Sequence, residues 1–186
     1  RETSDLGAEV VADILDTLAG AHMRLSEGQG AELAWRDSSK KLLKPLDALK
    51  IYALKTAPAF EAAILSGLRL AKAPRQLDEL VARFARHLGV AFQICNDLND
   101  WEVDEENKLQ AGGDVIGGRP TVLFALAADT LPESDRLELQ NLIAEGDATE
   151  STLERVHQLY RQAGVFDSAR RLVDKYQLRA EQVADE

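Results

Sequence analysis

The chain is poor in several things, and each shortage excludes something. It holds one cysteine, Cys95, so an internal disulfide is excluded and a reducing, cytoplasmic setting is expected. No histidine lies near Cys95 in sequence, and the thiol reads as a packed core residue rather than a nucleophile. The three histidines, His22, His87 and His157, are scattered without metal-ligand spacing and read as structural or surface residues. No uncharged apolar run is long enough for a transmembrane helix, and no stable membrane insertion is expected. Basic residues are outnumbered, 22 Lys and Arg against 32 Asp and Glu for a net charge of −10. That balance argues against nucleic acid and against an anionic membrane surface as partners. Alternating strand patterns are absent, and no Asp-Asp pair occurs anywhere in the chain.

What is present is helical. The 186 residues, 45% apolar and 29% charged, suffice for one well-buried domain or most of one. Leu6, Val10, Ile14, Leu18, His22 and Leu25 mark one face of a first long helix, mostly in steps of four. Pro45 opens a second helix that carries Leu49, Tyr52, Phe60, Ile64 and Leu68, with a kink expected at Pro58. A third is expected from about Gln76 to Asp100. Pro120 starts another at its N1 position, and Pro132 one that ends near Gly146. Ser151-Thr152-Leu153-Glu154 has the pattern of a capping box, and Gly164 precedes a last helix over roughly 166–183. The chain opens on Arg1-Glu2-Thr3 rather than Met, as expected of a portion of a longer protein.

Phe92-Gln93-Ile94-Cys95-Asn96-Asp97-Leu98-Asn99-Asp100 is the most informative run. On a helix advancing about 100° per residue, with Asn96 at zero, Asp100 falls near 40°, Gln93 near 60°, Asp104 near 80° and Asp97 near 100°. The oxygen-bearing side chains thus share one quadrant, while Ile94, Leu98 and Trp101 occupy another face. An acidic helix face is ordinarily a solvated one. Here Phe92, Ile94, Cys95 and Leu98 interleave with the acids, so a buried segment is expected. Hard oxygen ligands suit Mg²⁺, which keeps waters and takes one or two carboxylates plus substrate phosphates. Gly112-Gly113-Asp114 and Gly118-Arg119-Pro120-Thr121 follow, a glycine-rich loop whose backbone N–H groups and Arg119 fork suit phosphate.

Lys55-Thr56 precedes Pro58, which removes the hydrogen bond to the Leu54 carbonyl. The opened turn is expected to aim both side chains into a cavity. Gln29 reads as a buried glutamine satisfying the backbone, and Lys108 as a residue within reach of the same phosphates.

These elements resemble the trans-isoprenyl diphosphate synthases, or polyprenyl synthetases. That family's second aspartate-rich motif, F-Q-x-x-D-D-x-x-D, matches residues 92–100 with Asn96 for the leading aspartate. Its G-x-D-x-x-x-G-K-x-T loop matches Gly112 through Thr121 with Arg119 for lysine. Gly28-Gln29-Gly30-Ala31-Glu32-Leu33 matches G-Q-x-x-D-L with Glu32 for aspartate, and Tyr52-Ala53-Leu54-Lys55-Thr56 matches the Lys-Thr element. The resemblance runs from about residue 10 to the C-terminus.

It implies an all-α, isoprenoid-synthase-type helical bundle lacking its N-terminal helices, with residues 1–186 as the C-terminal part of one domain. It implies a prenyltransferase that condenses isopentenyl diphosphate with an allylic diphosphate to give a longer trans-prenyl diphosphate, using Mg²⁺. Asn96, Asp97 and Asp100 would be the metal ligands. Lys55, Thr56 and Gln93 would be the catalytic residues, with Lys55, Gln93 and Arg119 on the substrate. A homodimer is implied as well. The family's first aspartate-rich motif precedes the Gly-Gln element and would lie before Arg1. Two alternatives stand beside this reading. Asn96, Asp100 and Asp104 approach the N-D-x-x-S-x-x-x-E spacing of class I terpene cyclases, and a non-catalytic regulatory subunit would keep the same fold.

Overall fold

The computed structural model describes residues 6–39, 41–101, 112–146 and 149–186. Their order is α1 (Ala8–Arg36), α2 (Pro45–Lys55), α3 (Ala57–Leu70), α4 (Leu77–Asn99), α5 (Gly113–Ile116), α6 (Val122–Thr130), α7 (Glu133–Glu145), α8 (Glu150–Gln162) and α9 (Val165–Ala184). No strand occurs among the described residues. The fold is all-α, as expected.

α1 packs on α2 and α3, α3 on α4, and α4 along α9, while α6 touches α2, α4, α7, α8 and α9. The sequence Val122-Leu-Phe-Ala-Leu-Ala explains that central place: a short helix apolar on every side has no face for water. Val122, Leu123, Phe124, Ala125 and Ala127 are fully buried, and the Trp35 ring of α1 meets Phe124 edge-on at 5.4 Å between centroids. A second aromatic group joins α8 and α9 to the end of α4, with His157 stacked on Trp101, Phe166 against both, and Tyr160 edge-on to Trp101 and Phe166.

Several boundaries differ from expectation for local reasons. The helix opened by Pro45 divides at Thr56, whose φ of −125° and ψ of −47° end α2 before α3 begins. Thr121, not Pro120, starts α6, because its side chain accepts a hydrogen bond from the Phe124 N–H at 3.2 Å. Thr149 likewise caps α8 in place of the Ser151–Glu154 pattern, accepting from the Thr152 N–H at 3.3 Å. On α1 the residues facing the bundle are Ala21, Gly28, Glu32 and Trp35, whereas Leu18 and His22 are exposed. Steps of four residues advance about 40° each, which turns a four-residue stripe off any one face within a few turns. Gln29 is exposed, not buried, and Phe92 is half exposed.

Two glycines set how closely the helices cross. A Cβ on Gly28 would lie 2.5 Å from the Lys55 backbone nitrogen, and one on Gly89 would lie 2.7 Å from Ala57 Cα. α1 and α4 therefore close on the α2–α3 break from two sides. Gly89→Ala should force α3 and α4 apart and lower unfolding free energy by about 1–3 kcal/mol, the usual cost of overpacking. Urea denaturation would check it, and an unchanged midpoint would contradict the close crossing.

Candidate functional site

The α2–α3 break presents the Lys-Thr element to two helices. The Lys55 Nζ lies 2.5 Å from Glu32 Oε2, with both side chains largely sheltered. Thr56 Oγ1 donates to Gln93 Oε1 at 3.1 Å. That bond joins two motifs 37 residues apart in sequence. Gln93 stands one helical turn before Asp97 on α4 and favours its charged form.

Asp97 points inward. It is 1% exposed, and its Oδ2 accepts from the Tyr52 hydroxyl and, at 3.1 Å, from the Val122 N–H. The Val122 N–H also donates to Tyr52 Oη at 2.7 Å. This N–H opens α6, where helix N–H groups lack partners within the helix, so Tyr52 and Asp97 together tie α6 to α2 and α4. Burial pushes the Asp97 carboxyl up to about 7, with the charge of Asp114 adding to the rise and the bond from Tyr52 opposing it. Burial likewise holds the Tyr52 hydroxyl well above its usual range.

Asp100 and the glycine loop form a second group. The Asp100 Oδ2 accepts from the Asp114 N–H at 3.0 Å, and its backbone carbonyl accepts from the Gly112 N–H at 2.9 Å. Gly112 has φ of +84°, the left-handed conformation glycine enters freely. A Cβ on Gly113 would sit 3.0 Å from Asp100 Oδ1, so the carboxylate lies directly against the loop. Burial raises the Asp100 carboxyl above its ordinary value. Arg119 Nη1 lies 2.8 Å from Asp114 Oδ1 while its side chain remains more than half exposed. Asn96 is exposed one turn before Asp100 on the same helix.

The structure thus links Thr56 to Gln93, Asp97 to Tyr52 and Val122, and Asp100 to Asp114 and Arg119, while Lys55 is engaged with Glu32. Asp104 and Lys108 lie outside the described residues. Among the described residues no three His, Cys, Asp or Glu side chains converge on a metal position. Tyr52, Glu32 and Asp114 were not singled out from the sequence as site residues. Glu32 and Asp114 stand inside the Gly-Gln element and the glycine loop, and Tyr52 opens the run matched to the Lys-Thr element, which is a usable signal for each.

The family described as Polyprenyl synthetase matches residues 3–160, and the chain belongs to it. It is 24% identical over 172 residues to a geranylgeranyl diphosphate synthase of Sulfolobus acidocaldarius, covering 92% of this chain and 51% of that one. It is 32% identical over 120 residues to an all-trans-nonaprenyl-diphosphate synthase (geranyl-diphosphate specific) of Rhodobacter capsulatus, covering 64% of this chain and 36% of that one. Among solved structures, a geranylgeranyl pyrophosphate synthase from Corynebacterium glutamicum, complexed with isoprenyl diphosphate and magnesium, superposes with a TM-score of 0.83 at 21% identity, over 97% of this chain and 51% of that one. A polyprenyl synthase from Caulobacter crescentus CB15, complexed with calcium and isoprenyl diphosphate, gives 0.80 at 26% identity, over 92% of this chain and 52% of that one. The chain spans about half the length, or less, of the curated relatives it matches.

Proposed function

We propose that this chain is the C-terminal part of a trans-prenyl diphosphate synthase, which joins isopentenyl diphosphate to an allylic diphosphate. The observation that carries the reading is the Thr56–Gln93 hydrogen bond of 3.1 Å, which sets the Lys-Thr element beside the aspartate-rich end of α4. In the reaction the allylic C–O bond breaks and diphosphate leaves with the electron pair. The double bond of isopentenyl diphosphate then supplies the electrons for the new C–C bond, and loss of one proton restores a double bond.

Bound Mg²⁺ would neutralise the charge that develops on the leaving diphosphate. Asn96 and Asp100 fit that ion as an amide carbonyl and a carboxylate one helical turn apart, with substrate phosphate and water as the other ligands. Asp97, expected beside them as a ligand, is assigned instead to holding the start of α6 in place with Tyr52. Lys55 would take diphosphate oxygens by exchanging Glu32 for substrate, and the half-exposed Arg119 would do the same by leaving Asp114. Thr56 fixes the Gln93 amide against the reacting carbon chain. The second group of metal ligands would come from residues beyond this chain. Leu15, Leu18 and Leu33 are exposed on α1, and a homodimer would pack through this helix. No helix among the described residues is long and apolar enough to cross a membrane.

The test is linked stability. Mg²⁺ and pyrophosphate together should raise the melting temperature of the full-length protein, since a ligand at 100 times its Kd adds about 2.7 kcal/mol. Either alone should do much less, and Lys55→Met should remove most of the joint effect. Equal stabilisation of wild type and Lys55→Met would contradict the role given to Lys55.

A further inference from the structure

A cavity of about 590 Å³ opens between α2, α3, α4 and α9, with Arg24 of α1 at its edge. It is a different surface from the proposed diphosphate site: Lys55, Thr56, Gln93, Asn96, Asp100 and Arg119 take no part in its lining. Its floor is apolar, formed by Leu49, Ala53, Leu54, Pro58 and Val90. Its rim is basic. Arg24, Lys50, Arg86 and Arg179 line it, against a single acid, Glu61. For a chain with a net charge of −10, this is a local reversal of sign.

The acid does not cancel the rim. Glu61 is held by Arg24 at 3.1 Å and Lys50 is held by Asp47 at 3.1 Å, which leaves Arg86 and the exposed Arg179, whose guanidinium lies 5.7 Å over the Tyr176 ring. Arg86 is exposed and forms no ion pair among the described residues. Two polar atoms of the lining, His87 Nδ1 and Arg24 Nε, are buried without a hydrogen-bond partner. An unmatched buried polar atom is destabilising, and a ligand that reaches it removes that cost. The cavity has the size of small-ligand sites, and it pairs an apolar wall with a few converging polar groups as they do. A guanidinium fork matches the oxygens of a phosphate.

We propose that this cavity binds a single-chain amphiphile with a phosphate head, its tail over Ala53, Pro58 and Val90 and its head between Arg86 and Arg179. The proposal does not rest on the diphosphate reading, since the two surfaces share no side chain.

The test titrates dodecyl phosphate, below its micelle concentration, into the full-length protein without divalent metal. Calorimetry and the imidazole NMR signals of the three histidines are read together. The expected result is saturable one-to-one binding that shifts His87 while His22 and His157 stay in place. Arg86→Glu combined with Arg179→Glu replaces two exposed side chains without touching the core, and should weaken binding about tenfold or more. Lys55→Met should leave it unchanged. The reverse pattern, with Lys55→Met abolishing binding and the arginine variant neutral, would place the ligand in the diphosphate site and overturn the proposal. So would equal affinity for inorganic phosphate, which would make this a bare anion patch. Adsorption to phosphatidylglycerol vesicles without binding of the monomeric amphiphile would point to a membrane surface instead. An unmoved His87 signal would also end the proposal, including where another part of the full-length protein fills the groove.

Discussion

Asp100→Asn in the full-length protein is expected to lower turnover by roughly two to three orders of magnitude, the scale on which loss of one well-placed electrostatic group acts. The fold should survive. Asparagine keeps a side-chain oxygen for the Asp114 N–H, which the carboxylate now holds at 3.0 Å, and it relieves a charge that burial already disfavours. Alanine is the less discriminating variant. On an acidic face its removal of charge eases repulsion, yet it also strips the loop N–H groups of their acceptor, at about 1–2 kcal/mol. Turnover and melting temperature measured side by side separate the two effects. If Asp100→Asn retained wild-type turnover and wild-type stabilisation by Mg²⁺ and pyrophosphate, the end of α4 would be a structural face and not a metal site.

The second large effect is a pH dependence of stability centred on Asp97. Its carboxyl titrates near 7 in the folded protein against 3.8 for an unperturbed aspartate. The folded state therefore keeps the proton across that interval while the unfolded state releases it. Stability from this group is fully present below about pH 4 and is lost as pH rises through about 7, by an amount of roughly 4 kcal/mol. Asp97→Asn mimics the protonated form and cannot ionise. The unfolding free energy of the variant minus that of wild type should therefore climb between pH 4 and pH 8 in metal-free buffer. Reading the slope sets aside any constant offset from the changed contacts with Tyr52 and Val122. The difference also cancels other groups, among them His87 and His157, whose lowered values act in the opposite direction. A flat difference would mean that Asp97 is ionised and solvated, contrary to its place under Tyr52 and Val122.

Much of this architecture was legible from local chemistry. The apolar spacing of α4 and the punctuation by Pro132, Gly146 and Gly164 placed three helices to within a residue or two of where they lie. The family elements likewise placed Thr56 and Gln93 in the same site, and the structure sets them in contact. What escaped was whatever depends on which edge of a helix face turns inward. Asp97 sits about 100° from Asn96 but only about 20° from Val90 on the helical wheel. Val90 is buried, so Asp97 is carried into the core with it. A quadrant of acids is therefore not a quadrant of exposed ligands. The partner that makes this burial tolerable, Tyr52, lies 45 residues away in sequence, and no local pattern pairs it with Asp97. The same limit applies to α1, where the steps of four suggested Leu18 and His22 for the packed face. The close crossing at Gly28 selects the other one.

The most direct measurement is product analysis with the full-length protein, Mg²⁺ and geranyl, farnesyl or geranylgeranyl diphosphate, with and without labelled isopentenyl diphosphate. The account predicts longer linear prenyl diphosphates that carry the label, formed only when isopentenyl diphosphate is present and lost in Asp100→Asn. Release of cyclic hydrocarbon from the allylic diphosphate alone, or no consumption of either substrate by the folded full-length protein, would contradict it.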